Sequence, residues 1–158
     1  MAPALDAFLG AIESARPVVA LKDSYLAYPL VNTLHIVGIA LLFGAIVPLD
    51  LRLIGWRSTT ESVERLSRML LPVAIAGLLI AAPAGLLLFA TDARAYAAAP
   101  LFQAKMLLIL LAIANALALR RFDWRSGPRR RRVALAGMTS ISLWLGAIVC
   151  GRLLGYIE

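Results

Sequence analysis

The chain has 158 residues, a formal net charge of +7 and a hydrophobic content of 61%, with a mean hydropathy of +0.84 and a pI near 10.5. This apolar content is far above that of a soluble domain, so the composition excludes a soluble globular protein and predicts a polytopic membrane protein. One cysteine, Cys150, excludes an internal disulfide.

The first predicted element is a short amphipathic helix at about residues 4–16. It carries acidic residues on one side and apolar residues at helical spacing on the other, at Leu5, Phe8, Leu9 and Ile12. Such a helix lies at a membrane surface. We expect it to end near Pro17, because proline does not continue a helix.

Four apolar segments follow, and each is long enough to cross a bilayer, which takes about 20 residues. They cover about residues 26–54, 69–91, 101–119 and 133–151. The connections are short, so neighbouring spans are antiparallel. The sequence therefore predicts an all-α fold, an up-down four-helix membrane bundle in a single domain of residues 1–158.

Basic residues concentrate in the connections after the first and third spans. Four lie between Arg52 and Arg68 and seven between Arg120 and Arg132, out of 16 in the chain. Because positive loops stay cytoplasmic, we expect a bacterial inner membrane protein with both termini outside. On this interpretation the positive charge reflects the orientation of the chain in the membrane and its contact with anionic lipid. No nucleic-acid partner is expected.

Small residues recur four apart within the spans, which lets helix backbones approach closely in lipid. The lines in the second and fourth spans are more than one compact bundle requires, so we expect at least one of these two to face another chain. The expected partners are further copies of the chain or other membrane subunits. The lines are Ala40 with Gly44, Gly77 with Ala81 and Gly85, and Ala147 with Gly151 and Gly155.

The only histidine, His35, lies within the first span in "YPLVNTLHIVGIALLFG". One interpretation is a neutral imidazole hydrogen-bonded to a serine, an asparagine or a backbone carbonyl. A second interpretation is that His35 is a ligand of b-type haem. Gly38, a small residue on the same face of the helix, would then allow the flat macrocycle to lie against the helix. A third is a metal or proton site. If His35 binds a cofactor, the candidates for the acceptor that orients its other ring nitrogen are Asn32, Ser140 and Ser142.

In the haem interpretation, Lys105 and Arg152 lie on the outer side of His35, where they can pair with the propionates. Because the chain has one histidine, a second axial ligand would come from another subunit or from a symmetry-related copy, or would be absent. A metal site has less support, since no second histidine, second cysteine or carboxylate lies at the same depth.

The other polar residues of the spans are expected to be structural. Asp50 is expected to pair with Arg65 or Arg68, and Arg52 with Glu64 or Asp123. Two further polar groups, Asn115 and Trp144, are expected in the interior, with an interhelical hydrogen bond at Asn115.

Three stretches carry a resemblance to a known family: "DSYLAYPLVNTLHIVGIALLFGAIVPLDLRLIG", "FQAKMLLILLAIANALALRR" and "SLWLGAIVCGRLLGY". They cover most of the chain and resemble a bacterial family of small four-span membrane proteins of unknown function. More distantly, the histidine-bearing span and the lysine-led third span look like the copper-resistance D-type and membrane cytochrome b groups. The resemblance implies a four-span fold and, through the distant groups, haem or copper.

The sequence contains no nucleophile with a base, no zinc-protease motif and no phosphate loop, so an enzyme acting alone is not expected. We expect an integral membrane subunit or accessory protein of a bacterial respiratory or electron-transfer assembly, with His35 as a candidate haem ligand. One alternative is a structural scaffold that packs partner transmembrane helices. Another is a copper-handling or small-solute transport protein.

Overall fold

The computed structural model of the chain describes residues 3–56, 62–120 and 130–157. Within these ranges every regular element is a helix, which confirms the all-α fold class. The helices are α1 (Pro3–Glu13), α2 (Arg16–Asp23), α3 (Ala27–Ile54), α4 (Val63–Thr91), α5 (Ala93–Ala98), α6 (Pro100–Arg120) and α7 (Arg130–Ile157). The four long ones, α3, α4, α6 and α7, are apolar and long enough to cross a membrane.

The chain divides into two compact units, and α3 and α4 each contribute residues to both units. Unit 1 contains Met1–Leu42 and Ile75–Pro100, and unit 2 contains Phe43–Ala74 and Leu101–Glu158. Unit 1 thus holds α1, α2, α5 and parts of α3 and α4. Unit 2 holds the remaining parts of α3 and α4 together with α6 and α7.

Glycines bring α3 and α4 into backbone contact in unit 1. A Cβ built on Gly38 would lie 2.5 Å from the Ala81 nitrogen, and one on Gly77 would lie 2.5 Å from the Leu42 nitrogen. Only glycine permits this approach, and in lipid such close packing is what holds helices together. The line of Gly77, Ala81 and Gly85 therefore faces α3 within the same chain.

The amino-terminal segment contains two helices where the sequence predicts one. α1 ends at Glu13, and Pro17 stands in the first turn of α2. Proline is tolerated there because the amides of a first turn have no helical acceptor. The first helix thus ends at Glu13, shortly before Pro17, and the sequence did not predict the second helix that begins at Arg16. Leu9 is buried, whereas Phe8 is 62% exposed.

Small residues also form the interior of unit 2. A Cβ on Gly137 would lie 2.9 Å from the Asp50 backbone oxygen, so α7 crosses α3 closely at this point. Large apolar side chains such as Leu107 and Leu110 are exposed, as expected for surfaces that meet lipid. α3 continues through Pro48 and ends at Ile54, and the next residue, Gly55, has a φ of 90°.

The end of α3 is a Schellman motif. The Trp56 amide donates to the Leu51 carbonyl at 3.0 Å, and the Gly55 amide donates to the Arg52 carbonyl at 3.2 Å. These bonds occupy carbonyls that the last helical turn would leave without a partner. Gly55 adopts the left-handed conformation that the motif requires at little steric cost.

Candidate functional site

His35 connects α3 to α4 inside unit 1. Its Nδ1 lies 2.8 Å from the Ala81 carbonyl oxygen, so Nδ1–H donates to that backbone oxygen. The ring also lies against Gly85, where a Cβ would stand 2.8 Å from the His35 Cε1. An alanine in place of Gly85 would therefore displace the imidazole. His35 is half-buried.

The partner of His35 was among the alternatives that the sequence offered, but its expected orienting residues were wrong. The acceptor is a backbone carbonyl, not Asn32, Ser140 or Ser142. Asn32 is exposed on α3, and Ser142 is exposed on α7. Ser140 hydrogen-bonds to the Asp50 side chain within unit 2.

Gly38 does not offer the free surface that a haem macrocycle would need. A Cβ placed on Gly38 would lie 2.5 Å from the Ala81 nitrogen and 2.8 Å from the Gly77 oxygen. The backbone of α4 thus occupies the face of α3 on which the sequence placed the macrocycle. The residues of unit 1 do not fit a haem seated on Gly38.

The two residues proposed as propionate partners both lie in unit 2. A Cβ on Gly151 would lie 3.1 Å from Lys105 Nζ, so the lysine side chain of α6 lies against α7. Arg152 interacts with Tyr156 on its own helix: Nη2 donates to the phenolic oxygen at 2.6 Å, and the guanidinium carbon lies 4.7 Å from the ring centroid. Arg152 is exposed.

Asp50 is buried at the α3–α7 contact with a different partner from the one expected. It is 4% exposed, and one of its carboxyl oxygens hydrogen-bonds to Ser140, which is 6% exposed. Its Oδ2 has no hydrogen-bond partner among the described residues. Ser140 of α7 is thus the partner that the described contacts give for Asp50, and the expected pairing with Arg65 or Arg68 stays a prediction.

Trp144 follows Ser140 by one helical turn and faces the same side of α7. It is 7% exposed, and its Nε1–H has no partner in the part of the chain that the structure describes. A buried indole N–H is costly to leave without an acceptor. Asp50, Ser140 and Trp144 are thus buried polar residues of unit 2.

Asn115 and Arg52 were also expected to be structural. Asn115 Nδ2 donates to the Ala136 carbonyl at 3.0 Å, which links α6 to α7. Of the partners expected for Arg52, Asp123 lies outside the described residues. Cys150 is a free cysteine, half-buried on α7.

A polar cluster on unit 1 was not predicted from the sequence. The Arg94 amide, in the first turn of α5, donates to Glu13 Oε1 at 2.8 Å, and its guanidinium lies 3.5 Å from Asp6 Oδ1 and 3.8 Å from Glu13 Oε2. Lys22 Nζ donates to the Thr91 carbonyl at 3.3 Å. The only indication of this cluster in the sequence is opposite charge on two short helices. α1 carries Asp6 and Glu13, and α5 carries Arg94.

Within the described ranges, no group of three or more His, Cys, Asp or Glu side chains could hold a metal ion. The arrangement offers interhelical hydrogen bonds and close backbone contacts rather than a cluster of ligands. No protein-family model, curated protein or solved structure matches the chain. The four apolar helices define the class of the molecule, which is a multi-pass α-helical membrane protein.

Proposed function

We propose that the chain is a non-enzymatic accessory subunit of a membrane assembly, and that it packs partner transmembrane helices against small residues left open on its surface. The observation that carries this proposal is the position of Gly44. This residue of α3 is exposed, and a Cβ built on it would meet no described atom within 4 Å.

The other glycines of the small-residue lines differ in what they face. Gly77 and Gly85 meet α3 within unit 1, and Gly151 meets the Lys105 side chain within unit 2. Gly77, Gly85 and Gly151 therefore contact other residues of the same chain. Gly155, on α7, resembles Gly44 because it is exposed and open.

Glycine at position 44 has an energetic cost that nothing within the described chain offsets. In a helix interior it is less favourable than alanine by about 1 kcal/mol. Close approach of another helix offsets this cost, because small residues allow backbone contact in lipid. We therefore assign the surface at Gly44 to a helix of another chain, either a second copy or a different membrane subunit.

Assembly size measured with two variants at position 44 tests this proposal. We expect Gly44→Leu to reduce the assembly, seen by native mass spectrometry from gently solubilised membranes, while thermal stability stays near that of the parent. Gly44→Ala should keep the assembly. Ala116→Leu, at an exposed position of α6, is the matched control for added bulk. An unchanged assembly in Gly44→Leu contradicts the proposal.

We also propose that the chain lies in the bacterial inner membrane with both termini outside. The support is the placement of arginine at one end of the spans: Arg52 in the last turn of α3, Arg65 and Arg68 near the start of α4, and Arg131 and Arg132 at the start of α7. Positive charge at helix ends is retained in the cytoplasm.

A second candidate is an electron-transfer subunit that binds b-type haem through His35, which requires the haem to lie elsewhere than on the Gly38 face. One feature favours it: Nδ1–H donates to a backbone carbonyl, which is how metal-bound histidines are oriented in proteins. An absorption spectrum of the purified parent and of His35→Ala separates the two functions. A Soret band that the variant loses favours haem, and a spectrum without one favours the scaffold. A copper and zinc assay on the same sample tests the transport alternative.

A further inference from the structure

Two basic side chains of unit 2, Lys105 and Arg152, lie in helices long enough to cross a membrane. Lys105 is half-buried on α6, and Arg152 is exposed on α7. Neither helix contains an aspartate or a glutamate, and Glu158, which follows α7, lies outside the described residues. A basic group at membrane depth is costly unless an anion or a set of acceptors accompanies it. The acceptors for these two side chains therefore have to come from outside α6 and α7.

The Lys105 side chain lies against the backbone of α7. A Cβ built on Gly151 would stand 3.1 Å from Nζ and 3.2 Å from Cε. The Cys150 thiol is close enough to interact with Nζ, but sulfur is a weak acceptor. Within the described residues Nζ has no hydrogen-bond acceptor and no carboxylate partner. Its three donors can therefore bind a ligand.

Gly155 leaves open space beside the same end of α7. It follows Gly151 by one turn on the same helix face, about 6 Å further along the axis. A Cβ built on Gly155 would meet no described atom within 4 Å, whereas one on Gly151 would meet Lys105. The contact between α6 and α7 at Gly151 thus does not continue to Gly155. The space at Gly155 can admit a polar group beside the Lys105 side chain.

Arg152 and Tyr156 have the features of residues at the level of lipid headgroups. Tyr156 is 69% exposed, and tyrosine is enriched where a membrane meets water. Arg152 Nη2 donates to the Tyr156 phenolic oxygen at 2.6 Å, which uses one of the five N–H groups of the guanidinium. The guanidinium keeps its positive charge in proteins. Arg152 therefore presents a cation with further donors on the exposed surface of α7.

We propose that the phosphate group of an anionic phospholipid binds at this end of unit 2, to Lys105 and Arg152 in the space that Gly155 leaves open. Phosphate oxygens accept charge-assisted hydrogen bonds from lysine and arginine, and basic pockets between transmembrane helices bind lipid headgroups. The acyl chains then lie along exposed apolar side chains such as Leu107 and Leu153. The proposal depends neither on the surface at Gly44 nor on the orientation of the chain.

Lipid binding to the purified full chain, measured by native mass spectrometry, tests the proposal. We expect the delipidated parent to bind phosphatidylglycerol more tightly than phosphatidylcholine. Lys105→Gln and Arg152→Gln should each weaken phosphatidylglycerol about fivefold and leave phosphatidylcholine unchanged. Lys105→Arg should retain most of the preference, because it keeps a basic donor. Gly155→Leu should also weaken phosphatidylglycerol, because the added side chain fills the open space.

The controls separate this site from general charge and added bulk. Arg16→Gln removes the same charge at an exposed position of α2, and Ala116→Leu adds bulk at an exposed position of α6. Both should keep the parental preference, and excess inorganic phosphate should not displace the lipid.

Equal binding of the two lipids by the parent overturns the proposal, as does equal weakening by Arg16→Gln and Arg152→Gln. Displacement by inorganic phosphate overturns the lipid as the source of the anion. Arg152→Gln and Gly155→Leu, both at exposed positions, give the answer even if Lys105→Gln does not fold.

Discussion

Gly38 and Gly77 are in reciprocal contact. A Cβ on Gly38 would lie 2.8 Å from the Gly77 oxygen, and a Cβ on Gly77 would lie 2.7 Å from the Gly38 oxygen. Neither distance is tolerated by a real Cβ, and the atoms met are backbone, which cannot rotate away. The contact between α3 and α4 in unit 1 therefore depends on glycine at both positions.

Gly77→Ala should lower the free energy of unfolding by about 1–3 kcal/mol, because the added methyl group pushes the two backbones apart. Unfolding in mixed micelles, followed by circular dichroism, measures this change. The matched control is Gly44→Ala, which adds the same methyl group where no described atom lies within 4 Å. That control should stay at or above parental stability. Equal destabilisation by both variants would refute the contact.

His35→Ala should cost about 1–2 kcal/mol of stability, because it removes the hydrogen bond to Ala81 and leaves that carbonyl with one partner fewer. The same unfolding assay applies. Asn32→Ala, one turn earlier on the same helix and exposed, is the control and should change stability by less than about 0.5 kcal/mol. If the two variants are equally stable, the bond to Ala81 contributes nothing measurable.

Glu13→Ala should destabilise the start of α5, whose own N-cap residue, Asp92, makes no side-chain capping bond. Loss of a capping acceptor costs about 1 kcal/mol. We expect faster hydrogen exchange at the Arg94 amide, which donates to Glu13 Oε1 at 2.8 Å in the parent. Glu13→Gln keeps an acceptor and should retain most of the protection.

The ion pairs of the same cluster should matter less than the cap. The Arg94 side chain is 46% exposed and that of Asp6 is 51% exposed, so their pair contributes at most about 1 kcal/mol and weakens with salt. Asp6→Asn should leave the exchange of the Arg94 amide nearly unchanged. Equal deprotection in Asp6→Asn and Glu13→Ala would show that charge, not capping, holds α5.

A reporter that is active only in the cytoplasm, fused after Glu158, should give little signal, because the proposed orientation places both termini outside. The same reporter inserted in the connection after the third span should be active. Strong activity of the carboxy-terminal fusion would reverse the orientation. Replacement of Arg131 and Arg132 by alanine should weaken the bias, since basic residues near span ends set topology.

The four spans were predictable because apolar length is a local property of the sequence, and the bounds of α3 and α6 lie within one residue of those predicted. The start of α4 and the end of α7 were not predicted. α4 begins at Val63, six residues before the predicted start at Met69, since "VERLSR" is helical although too polar to lie in lipid. α7 continues to Ile157, beyond the predicted end at Gly151. Hydropathy indicates which residues can lie in lipid. The end of a helix depends instead on its backbone and capping hydrogen bonds, which can continue beyond the lipid.

The candidate site was only partly predictable, for a different physical reason. A rise of about 1.5 Å per residue from the outer ends of the spans puts His35 at the level of Pro83 in α4. The residues that His35 contacts, Ala81 and Gly85, flank that position. The acceptor itself could not be predicted, because every residue carries a backbone carbonyl. The same applies to Asp50, where charge favoured an arginine partner and the register of α7 brings Ser140 to the carboxyl.

The bond between the Arg94 amide and Glu13 joins groups 81 residues apart in the chain. At a synthesis rate of about 5–20 residues per second, the ribosome takes about 4–16 s to produce the second partner after the first. Throughout that interval Glu13 has been made but α5 has not. α1 is therefore synthesised before its partner in α5. The Arg94 amide can bond to Glu13 only after α4 has been synthesised. The turn between α4 and α6 is thus completed by a segment synthesised 81 residues earlier.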